Sequence, residues 1–253
     1  MRWDKLLSAE VFHYFIVFVR FAAAFGYMPF YASSYVPRRI RLLFALAVSF
    51  AVTPLLGPLL PDVPADVAGL FGMILIETTV GLFLGLFPYF LLSAVDLTGQ
   101  VAAQASAFAS ATAFDPTTQA QSTVLTTFLT LTALLLIVST GVYQIMFSDI
   151  VASYKIFPVG EPVVFGDMSK TLAQTLQAAF VCGFKIGSPF ILMMIVLYTA
   201  MGVMSRLMPQ LNILFIMMPV QVYLGLSLLM VCLPLMMMWF LRYFENEIKT
   251  FAM

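Results

Sequence analysis

The chain of 253 residues is 62% hydrophobic and only 9% charged. A soluble domain carries about 25% charged residues, so this composition excludes an ordinary soluble protein and requires lipid or a large assembly to cover the apolar surface. Twelve basic and twelve acidic residues give zero formal net charge, which argues against the basic stripe of a nucleic-acid-binding protein.

Six apolar segments follow one another along the chain. They cover residues 11–31, 40–60, 67–95, 122–152, 171–201 and 211–241. A membrane-spanning helix needs about 20 apolar residues, so each segment is long enough to cross a bilayer. No polar or charge-rich block separates them. We therefore predict an all-α membrane protein with a single domain, 1–253, built from about six long apolar helical segments.

The third, fourth and fifth segments are longer than one span, and two of them contain helix-breaking residues. Pro88 lies in the third segment and Pro189 in the fifth, each accompanied by glycines. Because proline removes an internal helix hydrogen bond, each of these segments is predicted to be either a kinked helix or two half-helices folded as a hairpin. Broken helices at membrane depth need protein or a water-filled cavity around them, which is typical of transporters and channel-forming subunits.

The connections between the apolar segments differ in charge and length. Residues 36–41, VPRRIR, are basic, whereas 96–121 form a predicted long loop of small residues without lysine or arginine. A loop of more than about 12–15 residues is usually functional or disordered. Residues 202–210 connect the last two segments. Lysine and arginine are divided almost evenly between the two sides of a six-span topology, so they favour a cytoplasmic N-terminus only slightly.

The sequence contains no pattern typical of an enzyme, so we predict no catalytic residues, no cofactor and no metal site. Its single histidine, His13, stands near the start of the first segment and is interpreted as a packed or interfacial side chain. No histidine and cysteine residues have metal-site spacing. The motifs of phosphate loops, nucleophile elbows and zinc proteases are absent.

A carboxylate inside the third segment is a candidate functional residue. Glu77 is followed by Gly81 and Gly85, and the four-residue spacing puts all three on one helix face. An ionisable side chain at this depth is costly and by default indicates function. The alternative is a structural role, in which Glu77 packs against Arg20 or Lys185. The two glycines would allow another helix to approach closely, most simply one of the same chain.

The most specific stretch lies between the fifth and sixth segments. It is GVMSRLMPQLN, residues 202–212, in which Arg206, Gln210 and Asn212 stand between two strongly apolar segments and Pro209 ends the helix. A cation and two amides in a hydrophobic setting must find partners there. We therefore predict a polar turn with a role in assembly or gating.

These motifs resemble the FliR family of bacterial protein-export subunits and their virulence-secretion counterparts. The family pattern GxxSRxxPQxN, with a proline and a glycine downstream, is matched by Gly202, Ser205, Arg206, Pro209, Gln210, Asn212, Pro219 and Gly225. The basic turn at 36–41, the ExxxGxxxG run that begins at Glu77, and Phe114-Asp115-Pro116 in the long loop also fit. The likeness extends over essentially the whole chain, and the residues after Met238 are its least constrained part.

The resemblance implies a subunit, present in one copy, of a closed and helical hetero-oligomeric export gate in the bacterial inner membrane, at the flagellar basal body. Its implied partners are FliP-type and FliQ-type subunits, a FlhB-type export switch protein and unfolded protein cargo. The family's helices form tilted, kinked hairpins. Its long loop contributes to a channel plug, which corresponds here to about 102–119, with Phe108 and Phe114 as apolar stoppers and Asp115-Pro116 at the bend.

Two other functions remain open from the sequence. A small proton-coupled secondary transporter would use broken helices and Glu77 to build a proton or substrate site. A purely structural membrane scaffold would have no moving part. The segment LNILFIMMP after the polar turn favours a flagellar over a virulence-related cargo.

Overall fold

The computed structural model describes residues 3–32, 36–64, 66–108, 124–210 and 212–251, and this part of the chain contains helices and connections but no β-strand. Seven α-helices are present in it: α1 (Trp3–Tyr27), α2 (Arg38–Leu56), α3 (Val67–Ala105), α4 (Val124–Ser139), α5 (Val142–Ile156), α6 (Phe165–Leu207) and α7 (Ile213–Phe251). A short 3-10 turn, Gly57–Leu59, continues α2. The all-α prediction is confirmed.

Five of these helices are long and apolar enough to cross a membrane, and the bent pair α4 and α5 makes a sixth candidate span. The bend between α4 and α5 measures 72°. Gly141 lies at this break with a φ of 78°, a left-handed conformation that glycine adopts without steric cost. About six apolar helical segments, one of them sharply broken, therefore agree with the sequence prediction.

Prolines inside the other long segments do not divide them. Pro88 lies within α3 and Pro189 within α6, and each helix continues past its proline. Of the two possibilities that the sequence left open for these segments, the structure has a continuous helix and not a hairpin of two half-helices. The break falls in the fourth segment instead, at Gly141, whose left-handed conformation interrupts the helix between α4 and α5.

The helices α3, α6 and α7 contain 39, 43 and 39 residues. At a rise of about 1.5 Å per residue they are roughly 58–65 Å long, which is about twice the thickness of a hydrocarbon core of about 30 Å. Membrane helices tilt by about 20° on average, which is far too little to fit such lengths into one bilayer. Part of each helix therefore extends beyond the hydrocarbon layer.

The prediction of a loop from residue 96 onward is wrong for its first ten residues, because α3 continues to Ala105. The polar side chains that suggested a loop have partners inside the protein. Asp96 Oδ1 accepts a hydrogen bond of 2.6 Å from Thr130 Oγ1, and the Thr98 hydroxyl donates to the carbonyls of Ala94 and Gly183. A polar residue whose hydrogen bonds are satisfied does not end a helix. The connection that begins at 202 is similarly shortened, since α6 continues to Leu207.

Contacts divide the chain into two compact units. Unit 1 consists of Met1–Leu91, Gly141–Thr175 and Glu247–Met253, and unit 2 consists of Leu92–Thr140 and Leu176–Asn246. Each unit has its own buried apolar side chains, for example Phe21 and Phe25 in unit 1 and Leu129 and Phe190 in unit 2. The single domain expected from the sequence remains a prediction.

Four aromatic rings join three helices and a connection in unit 1. Phe25 of α1, Tyr31, Phe44 of α2 and Phe147 of α5 have pairwise ring-centroid distances of 5.1–6.0 Å. Aromatic pairs at this spacing add to the free energy of burial. Burial raises the pKa of the Tyr31 phenol, and Tyr143 raises it further, so the hydroxyl stays neutral.

The C-terminal part of α7 is buried, although the sequence likeness marks the residues after Met238 as the least constrained. Phe240, Phe244 and Ile248 recur every four residues on one face of the helix and are at most 1% exposed. Side chains at this spacing form the apolar stripe by which a helix packs on a protein core. The end of the chain is therefore a structural part of the fold.

Replacing Phe244 with alanine is expected to destabilise the protein by about 3–5 kcal/mol, because it leaves a cavity beside Phe240. The thermal midpoint of the detergent-solubilised protein, followed by fluorescence-detected size exclusion, measures this loss. Trp239→Ala is the control, since Trp239 is adjacent and 55% exposed. Equal midpoints for the two variants would contradict the buried position of Phe244.

Candidate functional site

Arg20 of α1 and Glu77 of α3 form an ion pair. Arg20 Nε lies 2.5 Å from Glu77 Oε2, and Arg20 Nη2 lies 2.8 Å from Glu77 Oε1. The pair is therefore bidentate, the geometry in which guanidinium and carboxylate bind each other most strongly. Both side chains are completely buried in unit 1.

Two further donors of the Arg20 guanidinium bind α5 and the residue after it. Nη1 donates to the Ser153 hydroxyl at 3.0 Å, and Nη2 donates to the Phe157 carbonyl at 2.9 Å. The guanidinium carbon also lies 3.8 Å above the centre of the Tyr154 ring, a cation–π contact. A buried charge is stable only when it is paired and hydrogen-bonded, and this network provides both. It joins α1, α3 and α5.

The structure places Glu77 with Arg20 and not with Lys185, whose side chain is exposed. Both carboxylate oxygens of Glu77 accept hydrogen bonds from Arg20. This favours a structural role for Glu77 over a functional one. Arg20 is one of the two partners that the sequence offers for Glu77, although it is not among the predicted site residues. A cation within an apolar segment at the depth of a carboxylate predicts that the two form a pair.

The two glycines that follow Glu77 let the backbone of α1 approach α3. A Cβ atom on Gly81 would collide with the carbonyl of Arg20 and lie 2.8 Å from Ala23 Cβ. A Cβ on Gly85 would collide with the carbonyl of Ala24. This close packing is intramolecular, so the glycine face of α3 is already covered in unit 1 and is not available to another subunit.

The polar turn lies at the end of α6 and before α7. Its predicted residues are all exposed: Gly202, Ser205, Arg206, Pro209, Gln210 and Asn212. The Ser205 hydroxyl donates to the Gly202 carbonyl at 2.9 Å, and the Asn212 carbonyl accepts from the amide of Phe215. Arg206 makes no ion pair or hydrogen bond with any described residue. The structure thus brings these residues together and leaves their side chains on the surface.

Large apolar side chains surround this turn and are exposed as well. Leu207 is 74% exposed and Phe215 is 68% exposed. Arg206 is therefore an exposed cation that stands among exposed apolar side chains.

The predicted plug residues are only partly within the described chain. Phe108 is half-buried and directly follows the turn that ends α3. Phe114, Asp115 and Pro116 lie outside the described residues, so their role stays a prediction. No group of three or more histidine, cysteine or acidic side chains in the described ranges could hold a metal ion.

Helices that are long and apolar enough to cross a membrane five or six times define the class of multispanning membrane proteins. The sequence profile of the family described as "Bacterial export proteins, family 1" matches residues 11–247. The chain therefore belongs to this family, which is the FliR family of bacterial export proteins.

Several relatives carry the name "Flagellar biosynthetic protein FliR". The protein of Caulobacter vibrioides is 31% identical over 231 residues, which cover 91% of this chain and 92% of the relative. The protein of Bacillus subtilis is 27% identical, covering 94% of this chain and 92% of the relative. That of Escherichia coli is 26% identical, covering 88% and 84%, respectively.

Glu77→Ala is expected to destabilise the protein by about 3–5 kcal/mol, because it leaves the Arg20 guanidinium buried without its counter-ion. Replacing both partners, in Arg20→Met with Glu77→Leu, removes both charges and should recover much of the loss. Thermal midpoints of the solubilised variants measure both effects. Glu161→Ala is the control, because that carboxylate is exposed. A double variant no more stable than Glu77→Ala would show that the loss is not electrostatic.

Proposed function

We propose that this chain is a component of the bacterial flagellar protein export apparatus in the inner membrane, at the basal body. Present in one copy, it forms with FliP-type and FliQ-type subunits the closed channel through which unfolded flagellar proteins are exported. The observation that carries the proposal is the match of the family profile to residues 11–247. The relatives that align with this chain over nearly their full length are named for flagellar biosynthesis.

The surface of the long helices supports an assembly with other subunits. Highly exposed apolar side chains on α6 and α7 include Leu192 (66%), Val196 (67%), Met230 (82%) and Val231 (78%). Lipid can cover about 30 Å of each helix, which is roughly half its length. The apolar surface that extends beyond the hydrocarbon core must be covered by protein, since contiguous exposed patches of this kind mark interaction sites.

The polar turn at 202–212 is proposed as an assembly or gating contact. Arg206 offers a rigid fork of donors that binds carboxylates and helix-end carbonyls, and within this chain no described residue occupies it. A FliP-type, FliQ-type or FlhB-type partner with an acidic side chain or a free helix C-terminus would complete the contact.

The alternative of a proton-coupled transporter depends on Glu77 as a proton or substrate site. Both of its oxygens accept hydrogen bonds from Arg20, and the site is completely buried. Both carboxylate oxygens are therefore occupied inside the protein, and the side chain does not face solvent. The geometry gives the transporter alternative no support.

Affinity purification of the tagged chain from mild detergent is expected to recover FliP-type and FliQ-type subunits in a particle much larger than the 28.0 kDa chain. Deleting its gene should abolish swimming, and the wild-type gene should restore it. A monodisperse monomer, or normal swimming of the deletion strain, would refute the proposed function.

Arg206→Ala is expected to reduce flagellin secretion at least about tenfold, while the protein is still made. This factor corresponds to the free energy lost with one charge-assisted hydrogen bond to the partner. Arg206→Lys keeps the charge without the planar fork and should be intermediate. Immunoblots of culture medium and membranes measure both quantities. Lys170→Ala, an exposed cation elsewhere on α6, is the control. Wild-type secretion by Arg206→Ala would show that the turn is merely solvated.

The segment after α3 is proposed as the channel plug, beginning at 106 and not at 102 because α3 extends to Ala105. Its bulky side chains, Phe108 and Phe114, would exclude water and ions by dewetting. Deleting 109–116 is expected to make membranes that contain the assembly leaky to small ions while some secretion persists. Membrane conductance as tight as in the wild type would exclude the plug.

A further inference from the structure

The C-terminal end of α3 has an unfavourable backbone conformation. The helix closes with a hydrogen bond from the Ser106 amide to the Ala102 carbonyl at 3.0 Å, and a weaker one from the Ala107 amide to the Gln104 carbonyl at 3.4 Å. Ala107 has a φ of 58°. Helices often end in this left-handed conformation, but with glycine, because a Cβ atom is disfavoured there. The chain therefore turns here at a steric cost.

The side chain of Ser106 adds a second unfavourable feature at the same turn. Its hydroxyl is completely buried and has no hydrogen-bond partner among the described residues. Hydroxyls within α3 and α7 donate to a carbonyl four residues earlier, as Thr98 does to Ala94 and Ser227 does to Tyr223. An unsatisfied buried hydroxyl is disfavoured relative to a solvated one.

The backbone of α7 packs directly against the turn. A Cβ atom on Gly225 would collide with both side-chain atoms of Ser106 and lie 3.0 Å from its Cα. The backbone of α7 therefore lies directly on Ser106 and keeps water from its hydroxyl. All of these residues belong to unit 2.

We propose that the turn at Ser106 and Ala107 is a metastable conformational switch whose state is set by its contact with Gly225. When α7 separates from the turn, the hydroxyl becomes hydrated and Ala107 returns to a negative φ. Because α7 begins directly after the exposed polar turn, a partner bound there would change the direction in which the chain leaves α3. This consequence for export rests on the proposed function, whereas the switch itself does not.

Amide hydrogen exchange of the peptide covering 100–108, measured by mass spectrometry on the purified assembly, reports opening of the turn. Ala107→Gly removes the steric cost and is expected to slow this exchange by about fivefold or more. Ser106→Ala removes the unsatisfied hydroxyl and should slow it as well. Gly225→Ala should accelerate it about tenfold, because the added Cβ displaces Ser106.

A compensating variant separates the specific contact from a general packing defect. Ser106→Gly removes the two side-chain atoms that the new Cβ would meet, so its combination with Gly225→Ala should exchange more slowly than Gly225→Ala alone. Gly72→Ala is the control, since a Cβ there meets no atom within 4 Å. The switch would be overturned if the double variant exchanged as fast as Gly225→Ala alone. It would also be overturned if Ala107→Gly exchanged as fast as the wild type.

Secretion tests the coupling to export. Ala107→Gly stabilises the present state and is expected to lower flagellin secretion by about the same factor by which it slows exchange, at an unchanged protein level. Slower exchange with unchanged secretion would overturn the coupling. These outcomes are distinct from failure of the proposed function, which appears as absent co-purification with FliP-type and FliQ-type subunits.

Discussion

The buried guanidinium of Arg20 sets the arrangement of unit 1. A charge without water around it must be surrounded by matched polar groups, and these come from two other helices: the Glu77 carboxylate on α3 and the Ser153 hydroxyl on α5. Such hydrogen bonds form only if the helix backbones lie close together. Gly81 allows this, because any larger residue would push α3 away from the carbonyl of Arg20. The ion pair and the glycine face are therefore parts of one constraint.

The same rule operates in unit 2 with uncharged partners. Asp96 accepts from Thr130 on α4, and Thr98 donates to the Gly183 carbonyl on α6. These polar contacts allow α3 to continue well past its apolar segment. The resulting helix is about twice as long as a hydrocarbon core is thick, and α6 and α7 are comparable. The length of these helices and their exposed apolar sides support the proposed assembly with other subunits.

The Ser106 hydroxyl, at the end of α3, is buried without a hydrogen-bond partner among the described residues, unlike the Thr98 hydroxyl in the same helix. Ser106 lies where the chain leaves the helix. Strain at a turn persists only when the surrounding structure enforces it. Here Gly225 on α7 does so, which gives a physical role to a glycine that the sequence presents only as part of a motif. The exposed turn at 202–212 is directly joined to α7, and the end of α3 is in contact with α7 at Gly225.

The sequence by itself determined the helical class, the number of apolar segments and the family, because composition, hydrophobic length and local motifs do not depend on distant contacts. It placed Glu77, Gly81 and Gly85 on one face for the same reason. Only the tertiary structure decided where the helices end, which of the long apolar segments is broken, and which cation pairs with Glu77. The break at Gly141, the helical course of 96–105 and the choice of Arg20 over Lys185 all depend on contacts between residues far apart in the chain. Periodicity and propensity carry no information about such contacts.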